Sequence, residues 1–414
     1  MNKFFSKRAL YVIASAPGDN APTQHCFAIA DLLMECGYAP SFMMSGIVRA
    51  GDGLLHKKFD YDIKIPATLI RSKYQLLSKY HERLTSCRAI RSFKKEIFEN
   101  RPDIVIIYGI STELARVVRG LCAQMRIPVL VDETDWFDVR FSGFGDIAAY
   151  LIERSKNKRV EEVDSTLDGV IAISPFFFSY FENIKNQKGF PHVFFLPPLN
   201  RAGGDSDRAC ALRGRLNSKI TKFIYAGSPN FGLHKDNLSS FFAALTSVSA
   251  FARTVPYFDV IGISDREAQI HYGRDVTSCE NIRFHGRLSH EQVVSMLTQA
   301  DFGVLIRQPA RYSRAGFSTK FVECMSHGIP MLCNEVGGAD SIINRGIDGL
   351  VAKDASIEEL GSSILEACQL SDESLLNMKK SAFKKAIKLF YIDKYIDSFR
   401  EFIDELVAIK ARRK

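Results

Sequence analysis

The sequence predicts an α/β protein made of two doubly wound, Rossmann-like domains. Three observations carry that prediction. The chain has 414 residues, too many for one ordinary core and enough for two of about 200 each. Short apolar runs of strand length alternate with longer amphipathic segments along most of it, the pattern of parallel strands covered by helices. Several of those runs end in a Gly- or Asp-containing turn that opens a helix, and such turns are where open parallel sheets hold ligands.

In the first half, Leu10 to Ser15 reads as a buried strand, Pro17 to Asn20 as a turn and Thr23 to Cys36 as a helix stopped by Gly37. Ala39 to Ser45 and Tyr61 to Pro66 follow as short strands, and Ile70 to Asn100 as one long helical pattern. Asp103 to Tyr108, Thr112 to Arg126 and Ile127 to Asp132 repeat strand, helix, strand, and the last of these runs into Asp132-Glu133-Thr134-Asp135-Trp136-Phe137-Asp138. Carboxylates just past a parallel strand suit ligand work, so Glu133 and Asp135 are candidates to position or deprotonate a hydroxyl. Capping of the next helix by Asp135 is the plainer alternative. A helix through Glu162, a strand at Leu167 to Ser174, a helix opened by Ser174-Pro175 and a strand at Val193 to Leu196 close this half, with a linker at Asn200 to Ser206.

The second half restarts the pattern: strand Phe223 to Ala226, loop Gly227 to Gly232, then Lys235 leading into a helix from Asn237 to Ser249. Phe258 to Ile263 is the next strand, with Gly262 where a base can lie against backbone. Ile282 to His285 and Gln292 to Ala300 lead into the richest stretch, Ala300 to Asn334. There Phe302 to Ile306 and Pro330 to Cys333 read as strands, and Ala315, Gly316 and Phe317 lead to Ser318 and Thr319, which open a helix stopped by Gly328 and Pro330. The free amides of that helix start suit an anion, and Glu323, one turn in, suits the hydroxyl pair of a ribose. Gly337-Gly338 and Gly346 to Gly349 read as turns, and Leu375 to Lys388 and Tyr391 to Lys410 as final basic helices. His285 and His327 have no metal-ligand spacing around them and read as core or rim residues.

At Ala315-Gly316-Phe317-Ser318 and Glu323-Cys324-Met325-Ser326-His327-Gly328-Ile329-Pro330 the chain resembles the GT-B glycosyltransferases of the retaining group 4 type. That family has a Glu-Gly-Phe-Gly loop and a helix ending in Glu-Ala-Met-x-x-Gly-x-Pro. Glu323 matches the second glutamate of its Glu-x7-Glu pair, and Ala315 stands where the first would be. The resemblance implies two domains facing across a cleft: residues 1–200 for the acceptor, 201–385 for the donor, and 386–414 crossing back to the first domain. It implies transfer of a sugar from a UDP- or GDP-sugar to an acceptor glycan, lipid-linked in many members, in polysaccharide or glycolipid synthesis, with retention and with no metal or other cofactor. It places Gly18, Gly227, Ser228, Lys235, Gly262, Arg307, Gly316, Phe317, Ser318, Thr319 and Glu323 against the nucleotide sugar. Lys235 matches the family's diphosphate lysine and doubles as a catalytic residue beside Glu133 and Asp135. Ser228 stands near its arginine, leaving Arg307 or Lys320 to supply that charge.

Composition bounds the rest. At 46% apolar and 25% charged the chain has the make-up of a soluble globular protein. The Ala9 to Ala16 segment runs into a turn and helix rather than a cleavage site, which argues against a signal peptide. Nine dispersed cysteines, among them Cys26, Cys122, Cys324 and Cys333, read as reduced core residues of a cytoplasmic protein. The net charge of +8 is concentrated from Arg71 to Lys95, where Arg71, Lys73, Lys79, Arg83, Arg88, Arg91, Lys94 and Lys95 face only Glu82. No nucleic-acid motif accompanies them. With Leu76, Leu77, Tyr80, Leu84 and Phe93 between the charges, the helix is either a solvated face or a contact with an anionic membrane surface. A sugar-nucleotide epimerase or hydrolase of the same fold, and a non-catalytic partner subunit, remain as alternatives.

Overall fold

The computed structural model describes residues 7–14, 21–44, 48–49, 62–64, 69–70, 78–137, 147–200, 219–227, 236–336 and 338–412. The chain divides into two units, Met1–Pro197 with Tyr395–Lys414, and Pro198–Lys394.

Unit 1 is built from β1 (Lys7–Ile13), α1 (Ala21–Glu35), β2 (Tyr38–Met44), β3 (Asp62–Lys64), α2 (Ser78–Asn100), β4 (Ile104–Tyr108), α3 (Thr112–Gln124), β5 (Val129–Glu133), α4 (Ile147–Glu161), β6 (Gly169–Ala172), α5 (Pro175–Lys188) and β7 (His192–Phe195). The strands form one parallel sheet in the order β3-β2-β1-β4-β5-β6-β7. Strand order therefore reverses between β1 and β4, and Ile13 pairs level with Tyr108 at that point. The strands read as continuous apolar runs because helices cover both faces: Val12, Ile29, Phe42, Ile106, Val118, Leu130 and Ile171 are all fully buried.

Unit 2 contains β8 (Ile220–Ala226), α6 (Leu238–Val248), β9 (Val255–Ile261), α7 (Asp265–Tyr272), α8 (Arg274–Thr277), β10 (Ile282–Phe284), α9 (His290–Leu297), β11 (Phe302–Leu305), α10 (Arg311–Ala315), α11 (Thr319–Ser326), β12 (Met331–Asn334), β13 (Gly349–Ala352), α12 (Ile357–Gln369) and α13 (Asp372–Phe390). Its parallel sheet runs β10-β9-β8-β11-β12-β13 and reverses between β8 and β11. Phe223, Phe241, Phe258 and Phe302 form the middle of its core, with the Phe241 and Phe258 ring centroids 4.7 Å apart.

The last helix, α14 (Ile396–Arg412), packs on unit 1. Phe399 and Phe402 lie against Phe194, and Lys410 Nζ bonds both oxygens of the buried Asp168 carboxylate, at 2.7 and 3.0 Å. Gly169 is required by this packing: a Cβ there would lie 2.8 Å from Leu406 Cδ1.

Three sequence expectations are corrected. The helix expected from Ile70 starts at Ser78, and Leu69–Ile70 pairs with Val48–Arg49 in a two-residue parallel ladder. Gly349, expected in a turn, opens β13, where its lack of a side chain lets it sit opposite Met331. Helix α12 was not read from the sequence, although Ser356 caps it by accepting the Glu359 amide and the Ser-x-x-Glu spacing announces that start.

Candidate functional site

In unit 2 the strand reversal brings together the C-terminal ends of β8 and β11. Gly227 follows β8, and Arg307 lies two residues past β11. The backbone there is stitched from several sides. The Arg307 amide donates to Asn334 Oδ1 at 2.8 Å while Asn334 Nδ2 donates to the Arg307 carbonyl at 2.9 Å. The Asn237 amide donates to the Ile306 carbonyl at 2.7 Å, and Asn237 then caps α6 by accepting the Ser240 amide. Asp236 and Arg307 form an isolated antiparallel bridge beside this bond.

Around Asp236 the side chains converge. Its buried carboxylate receives Lys320 Nζ at 2.6 Å, the Tyr225 hydroxyl at 2.9 Å and Arg307 Nε at 3.1 Å. Lys320 and Arg307 overcome the cost of burial and hold the Asp236 carboxyl well below the usual carboxylate range. Lys320 Nζ also stands 4.7 Å over the Tyr225 ring. Its chain lies across Gly227, where a Cβ would come within 2.0 Å of Lys320 Cε and oblige the lysine to move. With two fixed cations against one carboxylate the cluster carries one net positive charge.

Helix α11 enters the same unit from the loop after α10. Ala315 ends α10 and is fully buried, and Gly316 and Ser318 are in extended conformation. The first helical bonds of α11 run from the Phe321 and Val322 amides to the Ser318 carbonyl, and the Ser318 side chain makes no capping bond. The earlier amides, Thr319 and Lys320, therefore sit at the positive end of the helix. The Phe317 ring packs edge-on against Phe321 and Phe390. Glu323 is half-buried, and burial pushes its carboxyl up against the pull of His327, His290 and Lys320. His327 Nδ1 donates to the Glu323 carbonyl at 2.8 Å, and His285 Nε2 pairs with Asp259 at 2.6 Å, so both histidines have local partners. Gly262, just past β9, has φ +98° and bonds through its amide to the Gly286 carbonyl.

Gly18, Ser228 and Lys235 lie outside the described residues, as do the side chains of the basic stretch from Arg71 to Arg88. Farther along α2, Arg91, Lys94 and Lys95 are exposed, but Phe93, expected among the apolar contacts of that face, is fully buried in the core. The exposed ring is Phe98 instead, at 67%.

The carboxylates after β5 behave differently from the sequence expectation. The strand runs one residue further than expected, so Glu133 is inside the sheet, fully buried and held by Arg159 of α4 at 2.7 and 3.2 Å. Buried in that pair, Glu133 does not stand at the rim of the sheet where an acceptor hydroxyl was expected, and we correct its candidacy as a base. Asp135 receives the Thr134 hydroxyl at 3.3 Å, and the segment just after it, which would decide whether it caps a helix, lies outside the described residues. Asp132 is buried where the strand order reverses, bonded by the Tyr11 hydroxyl and by His25 Nε2 at 3.0 Å. Tyr11, His25, Arg159, Tyr225 and Asp236 escaped the sequence reading. For the tyrosines a signal existed, a polar tip within the apolar C-terminal part of a strand, Leu10–Ile13 in β1 and Phe223–Ala226 in β8.

Comparison with known proteins follows this geometry. Residues 232–385 match the family model described as Glycosyl transferases group 1. No curated protein matches the chain. Among solved structures, sucrose-phosphate synthase from Thermosynechococcus elongatus superposes with TM-score 0.69 at 14% identity over 97% of this chain and 100% of that one. HepE of Anabaena in complex with UDP and glucose gives 0.63 at 12% over 96% and 99%. WaaG, a glycosyltransferase involved in lipopolysaccharide biosynthesis, gives 0.61 at 13% over 96% and 99%. At such identities these likenesses establish the fold, which is GT-B. The matched segment lies within unit 2, which is therefore similar to group 1 glycosyltransferases over most of its length.

Proposed function

We propose that this protein is a glycosyltransferase that moves a sugar from a nucleoside diphosphate sugar to an acceptor hydroxyl with retention at the anomeric carbon. The observation that carries the donor assignment is the cationic cluster of Arg307 and Lys320 at the strand reversal of unit 2, with the N-terminus of α11 and Glu323 on the helix that supplies Lys320. An anion belongs at such a place on two independent grounds, the excess fixed charge and the helix amides. Glu323 takes the ribose hydroxyls. Arg307, Lys320 and the Thr319 amide meet the charge that develops on the departing diphosphate, which is electrostatic stabilisation of a leaving group. Lys235 joins them. Gly227 and Gly262 leave the backbone open to the nucleotide, Gly227 by admitting the Lys320 chain.

HepE was crystallised with UDP and with UDP-glucose, which supports a uridine nucleotide as the first donor to try. The acceptor is a glycan on a lipid carrier, reached at the cytoplasmic face of a membrane, a reading supported by the basic α2. An epimerase or hydrolase needs an additional acid and base at the sugar, and the burial of Asp132 and Glu133 in their own pairs speaks against these two supplying it.

The test is a binding screen of UDP and GDP by calorimetry, followed by mass spectrometry of UDP-sugars incubated with and without a lipid-linked glycan extract. Nucleotide binding with sugar consumption that depends on the extract supports the proposal. Consumption that is equal without extract points to hydrolysis and overturns it.

A further inference from the structure

Asp236 poses a physical question that the donor site leaves open. A site for a diphosphate gains from every unopposed cation, yet here one buried carboxylate engages both Arg307 and Lys320. Its own hydrogen-bonding is filled by the Tyr225 hydroxyl, so the position is built to keep a carboxylate and not merely to tolerate one.

The two cations are held unequally. Arg307 is fixed from its backbone outward: Asn334 clamps its amide and carbonyl, its side chain is 10% exposed, and Asp236 takes only Nε. Among the described residues the two terminal amino groups of its guanidinium have no hydrogen-bond partner, an arrangement that suits a bidentate acceptor. Lys320 is a single point charge on a flexible stem, 21% exposed, resting over Gly227 and the Tyr225 ring. It is the arm that is able to change partners.

We propose that Asp236 is the internal counter-anion of the diphosphate site. In the empty protein its carboxylate holds Lys320 and Arg307 together, and on binding the ligand's phosphate oxygens take Lys320 over from it while Arg307 stays anchored. This rests on the donor reading given above. Without the carboxylate, two neighbouring cations would be left partly buried and unpaired, a costly arrangement that would loosen the empty site. With it, the empty site is stable and the nucleotide diphosphate, which is also the product, is held less tightly than the bare cations would hold it. Asp236 is thus a positioning residue that sets the affinity for the departing product.

The experiment compares wild type, Asp236→Asn, Lys320→Met and the double variant by calorimetry with UDP, using uridine as the uncharged reference, and by thermal unfolding with and without UDP. Asp236→Asn is expected to bind UDP at least about tenfold more tightly, since a unit charge close to the phosphates is removed. Its uridine affinity should stay unchanged, and its unfolding midpoint should be lower without ligand but recover with UDP. Should Asp236→Asn fail to fold, the double variant, which removes carboxylate and lysine together, is measured against Lys320→Met and should bind UDP about threefold more tightly through Arg307. Unchanged or weaker UDP binding on loss of Asp236 overturns the inference and leaves it a structural brace, while the donor reading stands on the wild-type binding. Wild type that binds neither UDP nor GDP overturns both.

Discussion

Glu323→Gln isolates the ribose contact, because it removes a charge while keeping the side chain's size and its place on α11. Two consequences run in opposite directions. The wild-type carboxyl is pushed up by burial, so its ionised form is a cost to the folded state. A raised folded value means that Glu323's share of stability is present below the ordinary glutamate range of about 4.3 and is lost as pH rises through the folded value. Glutamine abolishes that dependence. At neutral pH the variant should therefore unfold no earlier than wild type. Binding should suffer: a carboxylate bonded to a hydroxyl pair contributes about 1.5 to 3 kcal/mol, and its loss weakens a nucleotide roughly tenfold to over a hundredfold. The measurement is calorimetry with UDP and GDP over a pH series, beside thermal unfolding. Wild-type affinity should fall as the solution is acidified through the raised carboxyl value, and the variant's should stay flat. A variant that binds as well as wild type refutes the ribose contact; one that unfolds well below wild type shows instead that Glu323 is a brace of the helix.

Lys320→Met should weaken UDP by about tenfold or more and leave uridine unchanged, because a charge-assisted contact to phosphate is lost; equal losses for both ligands would assign Lys320 to folding. Glu133→Gln leaves Arg159 buried without its counter-charge and should cost about 3 to 5 kcal/mol of stability, read as a lowered unfolding midpoint. Loss of transfer with an unchanged midpoint would restore Glu133 as a catalytic group. Wild type should co-sediment with anionic vesicles at low salt and release as salt rises, and changing Arg91, Lys94 and Lys95 to Gln should remove a large part of that binding, at about 1 kcal/mol per charge near the surface. Equal pelleting of the two proteins would make the face merely solvated.

Most strands of both sheets were legible because those buried on two faces stand out as continuous apolar runs, as Ile104–Tyr108 and Phe302–Leu305 do. Helix α11 was legible for a local reason too: its start, its Glu and its Gly stop lie within a dozen residues. What stayed hidden was every contact closed over a long stretch of chain. Asp236 meets Arg307 across 71 residues and Lys320 across 84, and no periodicity encodes such a meeting. Glu133 was misread by one position in the strand boundary, enough to move its side chain from the rim of the sheet into a pair with Arg159. The contact of the Phe317 ring with Phe390 was hidden in the same way, its partner lying far along the chain.

The two reversal points allow one further step, since they are built alike and differ in charge. In each, a tyrosine near the end of the sheet's first strand, Tyr11 on β1 or Tyr225 on β8, donates to a buried aspartate, Asp132 or Asp236. Around Asp132 the nitrogen partner among the described residues is His25, so the cluster's net charge is zero with the imidazole protonated and negative with it neutral. Around Asp236 there are two cationic side chains, Arg307 and Lys320, against the one carboxylate, and the net charge is positive. A diphosphate brings two or more negative charges, which the first cluster can only repel or ignore and the second attracts. The fold alone offers two equivalent places for a nucleotide; the side chains leave one. The same comparison supports the proposal that unit 1 takes an uncharged partner such as a sugar hydroxyl, whose recognition needs oriented hydrogen bonds rather than net charge. Exchanging the sign at one point tests this logic: Lys320→Glu should abolish UDP binding altogether, whereas His25→Gln should leave it within about twofold of wild type. Loss of UDP binding in the His25 variant, with an unchanged unfolding midpoint, would show that charge at the reversal of unit 2 is not what selects the nucleotide.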